Sequence, residues 1–116
     1  MIICIFLCSC DTEIDCDYYV INKCSTIIEM QIVDYKNITY NYKISPDNIQ
    51  YIYHGSYINT LDEDSHLVEY WFKEILIIKD TDTSKVNYID KNLWKFETIS
   101  GSHAKYSLTV TPEDFE

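Results

Sequence analysis

The sequence predicts a mainly β protein, an antiparallel β-sandwich of the immunoglobulin-like or transthyretin-like type with seven or eight strands and at most one short helical turn. Eleven tyrosines stand against two glycines and two prolines, and aromatic residues favour a pleated, half-buried surface. Several segments alternate apolar and polar residues, which is the period of a strand. Alanine is nearly absent, which argues against a helical bundle. A chain of 116 residues has room for one core.

Strands are predicted where an alternating segment is bounded by turn residues. The clearest is the third, in which Ile38, Tyr40, Tyr42 and Ile44 are expected to share one face. The last also alternates, and Ala104, Tyr106, Leu108 and Val110 are expected to face inward. In chain order, the predicted strands are 18–22, 27–35, 38–44, 49–53, about 70–79, 86–89, 93–99 and 104–111.

Two connections carry turn or cap signals. Ser45-Pro46-Asp47-Asn48 is predicted to be a turn, because proline presets φ and the Asp and Asn side chains bond to nearby backbone. A loop is predicted to begin at His54. Thr60 and Glu63 have the spacing of a capping box, so residues 61–67 are expected to form a loop or one helical turn.

The first ten residues read MIICIFLCSC and contain no charged side chain. As a helix, residues 1–9 would be roughly 14 Å long, too short for a hydrocarbon core of ~30 Å. As a strand they would be apolar on both faces, which suits only a strand covered on both sides. An apolar segment followed by small residues is typical of a signal peptide, and we predict one over residues 1–9.

The end of this segment, Leu7-Cys8-Ser9-Cys10, resembles the lipobox of bacterial lipoproteins, with Leu three residues before the cysteine and a small residue directly before it. The resemblance implies that Cys10 carries a lipid and links the protein to a membrane. It also implies a place in the cell envelope, at the outer membrane, on the periplasmic face or the cell surface. The chain departs from the pattern at Cys8 and in having no basic residue before Cys10, so we expect the signal peptide to be truncated at its start.

The residues after Cys10 are strongly acidic, with carboxylates at positions 11, 13, 15 and 17. Such interleaved charges are typical of a solvated segment. We therefore predict a lipidated acidic tether over residues 10–17 and a β-sandwich domain over residues 18–116.

Of the five cysteines, Cys16 and Cys24 are the two that would remain free after signal removal and lipidation. An extended chain between them would separate their Cα atoms by roughly 26 Å, whereas a disulfide needs them within about 7 Å. Spacing therefore favours two free thiols. A hairpin centred on Val20 would allow a bridge, and that alternative stays open.

The order of segments YYVINK, ISPDNIQYI, FKEILIIKD, LWKF and KYSLTVTPEDF resembles a group of small, uncharacterised lipoproteins of Gram-negative bacteria. In that group a β-sandwich follows the lipid cysteine, and a Tyr-x-Leu-x-Val strand ends in an acid-Phe tail. The resemblance implies the same organisation here and carries no activity with it.

Charge and motifs exclude several classes of function. A net charge of −10 repels phosphate backbones, so no nucleic-acid partner is expected, and attraction to anionic lipids is equally disfavoured. His54, His66 and His103 lie in predicted loops, where solvated histidines are expected rather than a metal site. The acidic run 62–64 lacks calcium-loop spacing, and two glycines provide no nucleophile elbow. The sequence predicts no enzyme, cofactor or metal.

Three hypotheses for function follow. The first is a lipid-anchored β-sandwich of the cell envelope with a non-enzymatic interaction or structural role. The second is an acidic inhibitor or immunity-type protein that binds a basic toxin or enzyme, since a strong negative field speeds association with a basic partner. The third is a glycan-binding module whose aromatic patch includes Trp71 and Trp94, although both rings fit a core equally well.

Overall fold

The computed structural model describes residues 13–58 and 67–116, and within them eight strands form two four-stranded sheets packed face to face. The predicted β-sandwich is confirmed. The strands are β1 (Glu13–Asn22), β2 (Ile28–Asp34), β3 (Thr39–Ile44), β4 (Ile49–Ile58), β5 (Phe72–Lys79), β6 (Asp82–Thr83), β7 (Trp94–Ser100) and β8 (His103–Val110).

One sheet has the order β4-β1-β8-β7 and the other β3-β2-β5-β6. We call them sheet A and sheet B. All pairs are antiparallel except β1 with β8, which run parallel. β1 and β2 lie in different sheets, whereas the first two strands of an immunoglobulin constant domain share one.

The core lies between the sheets and is rich in aromatic rings. Tyr18 on β1 is fully buried at its centre, where its ring stacks on Tyr106 with centroids 5.5 Å apart. Phe72 and Trp94 contact the same ring edge-on. Rings of this size provide most of the buried area in a small domain. The inward row predicted for β8 is confirmed, since Ala104, Tyr106, Leu108 and Val110 are all buried.

Strands β1 and β4 are both longer than predicted. β1 begins at Glu13 rather than Tyr18, and β4 continues to Ile58 rather than ending at Tyr53. Both extensions have the same cause, because residues 13–17 of β1 pair with residues 54–58 of β4. Asp15 and Asp17 of the predicted tether lie on the outer face of β1, while Cys16 between them is buried. Residues 13–17 therefore belong to the sandwich rather than to a tether.

The strand predicted over residues 86–89 is wrong. The segment is a packed loop, and the short strand β6 comes before it. Its apolar signal arises because Tyr88 is buried and its hydroxyl bonds with Ser84 Oγ at 2.7 Å and donates to Asp114 at 3.0 Å. Side chains anchored in this way bury apolar surface without a regular backbone.

The other strands begin and end within two residues of their predicted bounds. The predicted helical turn at 61–67 falls almost entirely outside the described residues. Short 3-10 helices occur within the described part of the chain at Val68–Tyr70, Lys91–Leu93 and Pro112–Phe115.

Asn22 joins the two sheets at the end of β1. It is fully buried, and its side-chain amide donates to the carbonyls of Thr26 and Ile44 at 2.9 and 2.8 Å. The oxygen of the same side-chain amide, Oδ1, accepts from the backbone N–H of Cys24 at 2.8 Å. One side chain thus satisfies three backbone groups where the chain crosses from sheet A to sheet B.

Replacing Asn22 with Leu should lower the free energy of unfolding by about 3 kcal/mol or more, because each buried backbone group left unpaired costs about 1–3 kcal/mol. Urea unfolding followed by circular dichroism measures the change. Asn41→Leu, at an exposed position of β3, is the control and should stay within about 0.5 kcal/mol of the wild type. Equal stabilities for the two variants would contradict this role of Asn22.

Candidate functional site

The predicted lipid site, Cys10, lies outside the described residues. The two later cysteines are described: Cys16 and Cys24 are both free and buried. Burial raises the pKa of Cys16 to about 11. Cys16 and Cys24 both pack in the hydrophobic core, where buried thiols are typically unreactive.

Trp94 is part of the core rather than a surface platform. It is 4% exposed, and its indole N–H donates to the carbonyl of Tyr88 at 2.7 Å. A ring with both faces covered cannot stack on a ligand. The core interpretation that the sequence left open is therefore the right one for Trp94.

Trp71 is half-buried and packs directly on the backbone of β4. Its indole N–H donates to the hydroxyl of buried Tyr18 at 2.7 Å, and its ring lies beside Tyr53 with centroids 5.1 Å apart. A Cβ atom built on Gly55 would lie 2.8 Å from Trp71 Cζ2. Gly55 is therefore needed for the close approach of the indole.

Trp71 lines a groove of roughly 340 Å³. We call it the aromatic groove. Several of its lining residues lie on the β2–β3 hairpin, and its exposed apolar members are Tyr35, Ile38, Tyr40 and Tyr70. The lining residues are Asp34, Tyr35, Lys36, Ile38, Tyr40, Tyr53, Tyr70 and Trp71.

Asp34 holds the hairpin of the aromatic groove in shape. Its carboxylate accepts from the backbone N–H groups of Ile38 and Lys36 at 3.0 and 2.8 Å and from the Tyr40 hydroxyl at 3.2 Å. The N–H of Ile38, followed by that of Lys36, keeps the pKa of Asp34 below its usual range. The groove thus combines fixed aromatic rings with a carboxylate and a lysine, a surface suited to amphipathic ligands.

A second cluster lies on the outer face of sheet A, and we call it the His–Asp cluster. Asp17 on β1 bonds His54 Nδ1 on β4 at 2.6 Å and His103 Nε2 on β8 at 2.7 Å. Asp15, two residues earlier on the same face, lies 3.3 Å from His54 Nε2. The hydroxyl of Ser56 donates to Asp15 at 3.1 Å.

The pKa values in this cluster move in opposite directions. The hydrogen bond to Asp17 raises the pKa of His54. Partial burial would by itself raise the pKa of Asp17, but the bonds from His54 and His103 outweigh it, and the pKa ends below its ordinary value. The cluster is therefore a set of ion pairs that favours protonated His54 beside ionised Asp17.

In the His–Asp cluster, Ser56 Oγ lies 3.5 Å from His54 Nε2, the same nitrogen that faces Asp15. Both ring nitrogens of His54 face carboxylates, and an imidazole can donate to both only when it is doubly protonated. A general base must present an unprotonated nitrogen to the hydroxyl. Within residues 13–58 and 67–116 no group of three or more His, Cys, Asp or Glu is arranged to hold a metal ion.

Reasoning from the sequence does not find the His–Asp cluster, because its members lie far apart in the chain. His54 was predicted to open a loop, yet it lies within β4, and His103 begins β8. Their meeting at Asp17 depends on β1 pairing with both strands, which is information about non-local register. His66 lies outside the described residues, as does the acidic run at 62–64.

Comparisons with known proteins supply no relative. No family model, curated protein or solved structure matches the chain. In the described ranges, the structure contains no helix with the length and apolar character to cross a membrane.

Gly55→Ala should displace the Trp71 indole, because the new methyl group would lie closer to its ring than van der Waals contact allows. We expect a loss of about 1–3 kcal/mol in unfolding free energy and a shift in the tryptophan emission maximum. Gly101→Ala is the matched control, since a Cβ there meets nothing within 4 Å. Equal effects of the two substitutions would contradict this packing.

His54→Gln should change the pH dependence of stability. Because the pKa of His54 is raised in the folded state, its contribution is present below the ordinary value of 6.5 and is lost as pH rises through the folded value. At pH 5.5 the free energy of unfolding of the wild type should be higher than that of the variant, by less than about 1 kcal/mol because the pair is partly exposed. At pH 9 this difference should be smaller. Urea unfolding at both pH values tests this, and a difference independent of pH would refute it.

Proposed function

We propose that the protein is a lipid-anchored β-sandwich of the bacterial cell envelope with a non-enzymatic interaction or structural role. The observation that carries the proposal is the Leu7-Cys8-Ser9-Cys10 motif directly ahead of a compact β domain. Its lipid would be attached to Cys10.

The position at which β1 begins fits this proposal and leaves a shorter tether after Cys10 than the sequence predicts. β1 begins at Glu13, three residues after Cys10, and three residues span at most about 11 Å. A lipid on Cys10 would hold the sandwich close to the bilayer. The acidic residues of β1 then act in the fold and not as a flexible spacer.

The geometry of the described side chains supports a binding role more than a catalytic one. Histidine, serine and aspartate meet in the His–Asp cluster, but the ion pairs there occupy both nitrogens of His54. The aromatic groove is a concave surface with exposed apolar rings, which is the usual character of an interaction site.

The two alternative functions stay predictions. A glycan-binding role would depend on Trp71 and the aromatic groove, since Trp94 is buried. An inhibitory role is supported by the net charge of −10, which would attract a basic partner.

Mass spectrometry of the protein isolated from bacterial membranes tests the anchor. We expect a mature chain that begins at Cys10 and carries a diacylglyceryl group on its sulfur. Cys10→Ala should move the protein from the membrane fraction to the aqueous fraction, whereas Cys8→Ala should leave it anchored. An unmodified Cys10, or retention of residues 1–9, would exclude the proposal.

A further inference from the structure

We infer that one end of the sandwich lies against a lipid surface, with exposed Tyr and Ile side chains in its headgroup region. The inference rests on the proposed lipid at Cys10 and adds the orientation of the domain. The surface would consist of Tyr35, Ile38, Tyr70 and Ile99.

The register of sheet A defines the two ends of the molecule. At the start of β1, Glu13 pairs with Ile58, and the N–H of Asp15 donates to Ser102 in the β7–β8 turn at 2.9 Å. We call this the anchor end. Nine residues after Glu13, about 30 Å away, the backbone carbonyl of Asn22 accepts from the N–H of Asp47 in the β3–β4 turn at 2.7 Å. We call this the far end.

Sheet B has the same two ends. The side chain of Asn22 bonds the carbonyl of Ile44, which pairs with Ile28 at the start of β2, so β2 begins at the far end. β2 therefore runs toward the anchor end and finishes at Asp34. Trp71, which lines the aromatic groove, packs on Gly55. The groove therefore also lies in the anchor-end half of the sandwich.

Exposed apolar side chains at the anchor end come from both sheets. Tyr35 is 61%, Tyr70 50% and Ile38 48% exposed beside the aromatic groove, and Ile99 is 54% exposed next to the β7–β8 turn. Tyrosine combines an apolar ring with a hydroxyl and is enriched at membrane–water interfaces. Insertion of these side chains would recover the cost of exposing them to water.

Charged side chains lie at both ends. Asp34 with Lys36, and Glu69 with Lys73, balance around the aromatic groove. At the far end, the loops carry an excess of carboxylates, at Asp47, Asp80, Asp82, Glu113, Asp114 and Glu116. The charge-balanced groove suits a zwitterionic headgroup surface, whereas Asp15 and Asp17 at the start of β1 disfavour an anionic leaflet at the anchor end as well.

Fluorescence quenching in vesicles measures this orientation. The acylated full-length protein is taken from membranes as two variants, Gly101→Cys at the anchor end and Ser45→Cys at the far end, and each is labelled with a thiol-reactive fluorophore. Space beside Gly101 is open and Ser45 is exposed. Cys16 and Cys24 are buried and should not react.

In phosphatidylcholine vesicles with headgroup spin-labelled lipid, we expect the label at position 101 to be quenched several-fold more strongly than the label at 45. Adding Ile99→Ser should reduce that quenching. Ile27→Ser, which removes an equally exposed isoleucine at the far end, should not.

The opposite results separate the two proposals. Equal quenching of both labels on acylated protein would overturn the orientation and leave the anchor standing. An unacylated Cys10 would overturn both. A weakly quenched label at 101, together with a change in Trp71 fluorescence on adding free oligosaccharide, would assign the aromatic groove to glycans and also overturn the inference.

Discussion

The hydrogen bonding of β1 along both of its edges is the constraint on which the rest of the structure depends. β1 pairs with β4 from Glu13 to Ile21 and with β8 from Asp15 to Asn22. A slip by one residue would turn Asp15 and Asp17 into the core and expose the fully buried side chain of Tyr18. Because buried backbone groups must be paired, neither neighbour can shift alone. The same register creates the His–Asp cluster on one face and the support for Trp71 on the other.

Buried tyrosine hydroxyls connect the sheets to the loops. A buried hydroxyl is costly unless it is hydrogen-bonded, and here the partners lie on other elements. Tyr18 on β1 bonds Trp71 before β5, and Tyr88 bonds Ser84 and the Asp114 carboxylate of the last 3-10 helix. These bonds fix irregular segments to the core, which a sandwich without a disulfide between Cys16 and Cys24 needs.

Local alternation was sufficient to predict the fold class, as β8 illustrates: four inward positions follow directly from the period of two. Local alternation does not predict a strand where charged residues or a glycine suggest a loop or a tether. Asp15 and Asp17 resemble a solvated tether because the sequence shows their charge but not the histidines that hydrogen-bond to Asp17. Gly55 resembles a loop residue because sequence does not show the indole that requires its missing Cβ. The groove and the His–Asp cluster therefore lay beyond prediction, since both depend on strand pairing between residues tens of positions apart.

The distribution of charge along the long axis bears on where a partner would bind. Fields from exposed charges decay over about 8 Å at physiological ionic strength, so the far-end carboxylates act only on molecules that approach that end. The anchor end is about 30 Å away, and there Asp17 is hydrogen-bonded to two histidines and Asp34 to the Tyr40 hydroxyl and two backbone N–H groups. Under the proposed anchor, the far-end carboxylates face the surrounding solution, where a basic protein would meet them first. Under the same proposal, a partner attracted by charge would bind the β3–β4, β5–β6 and C-terminal segments rather than the groove.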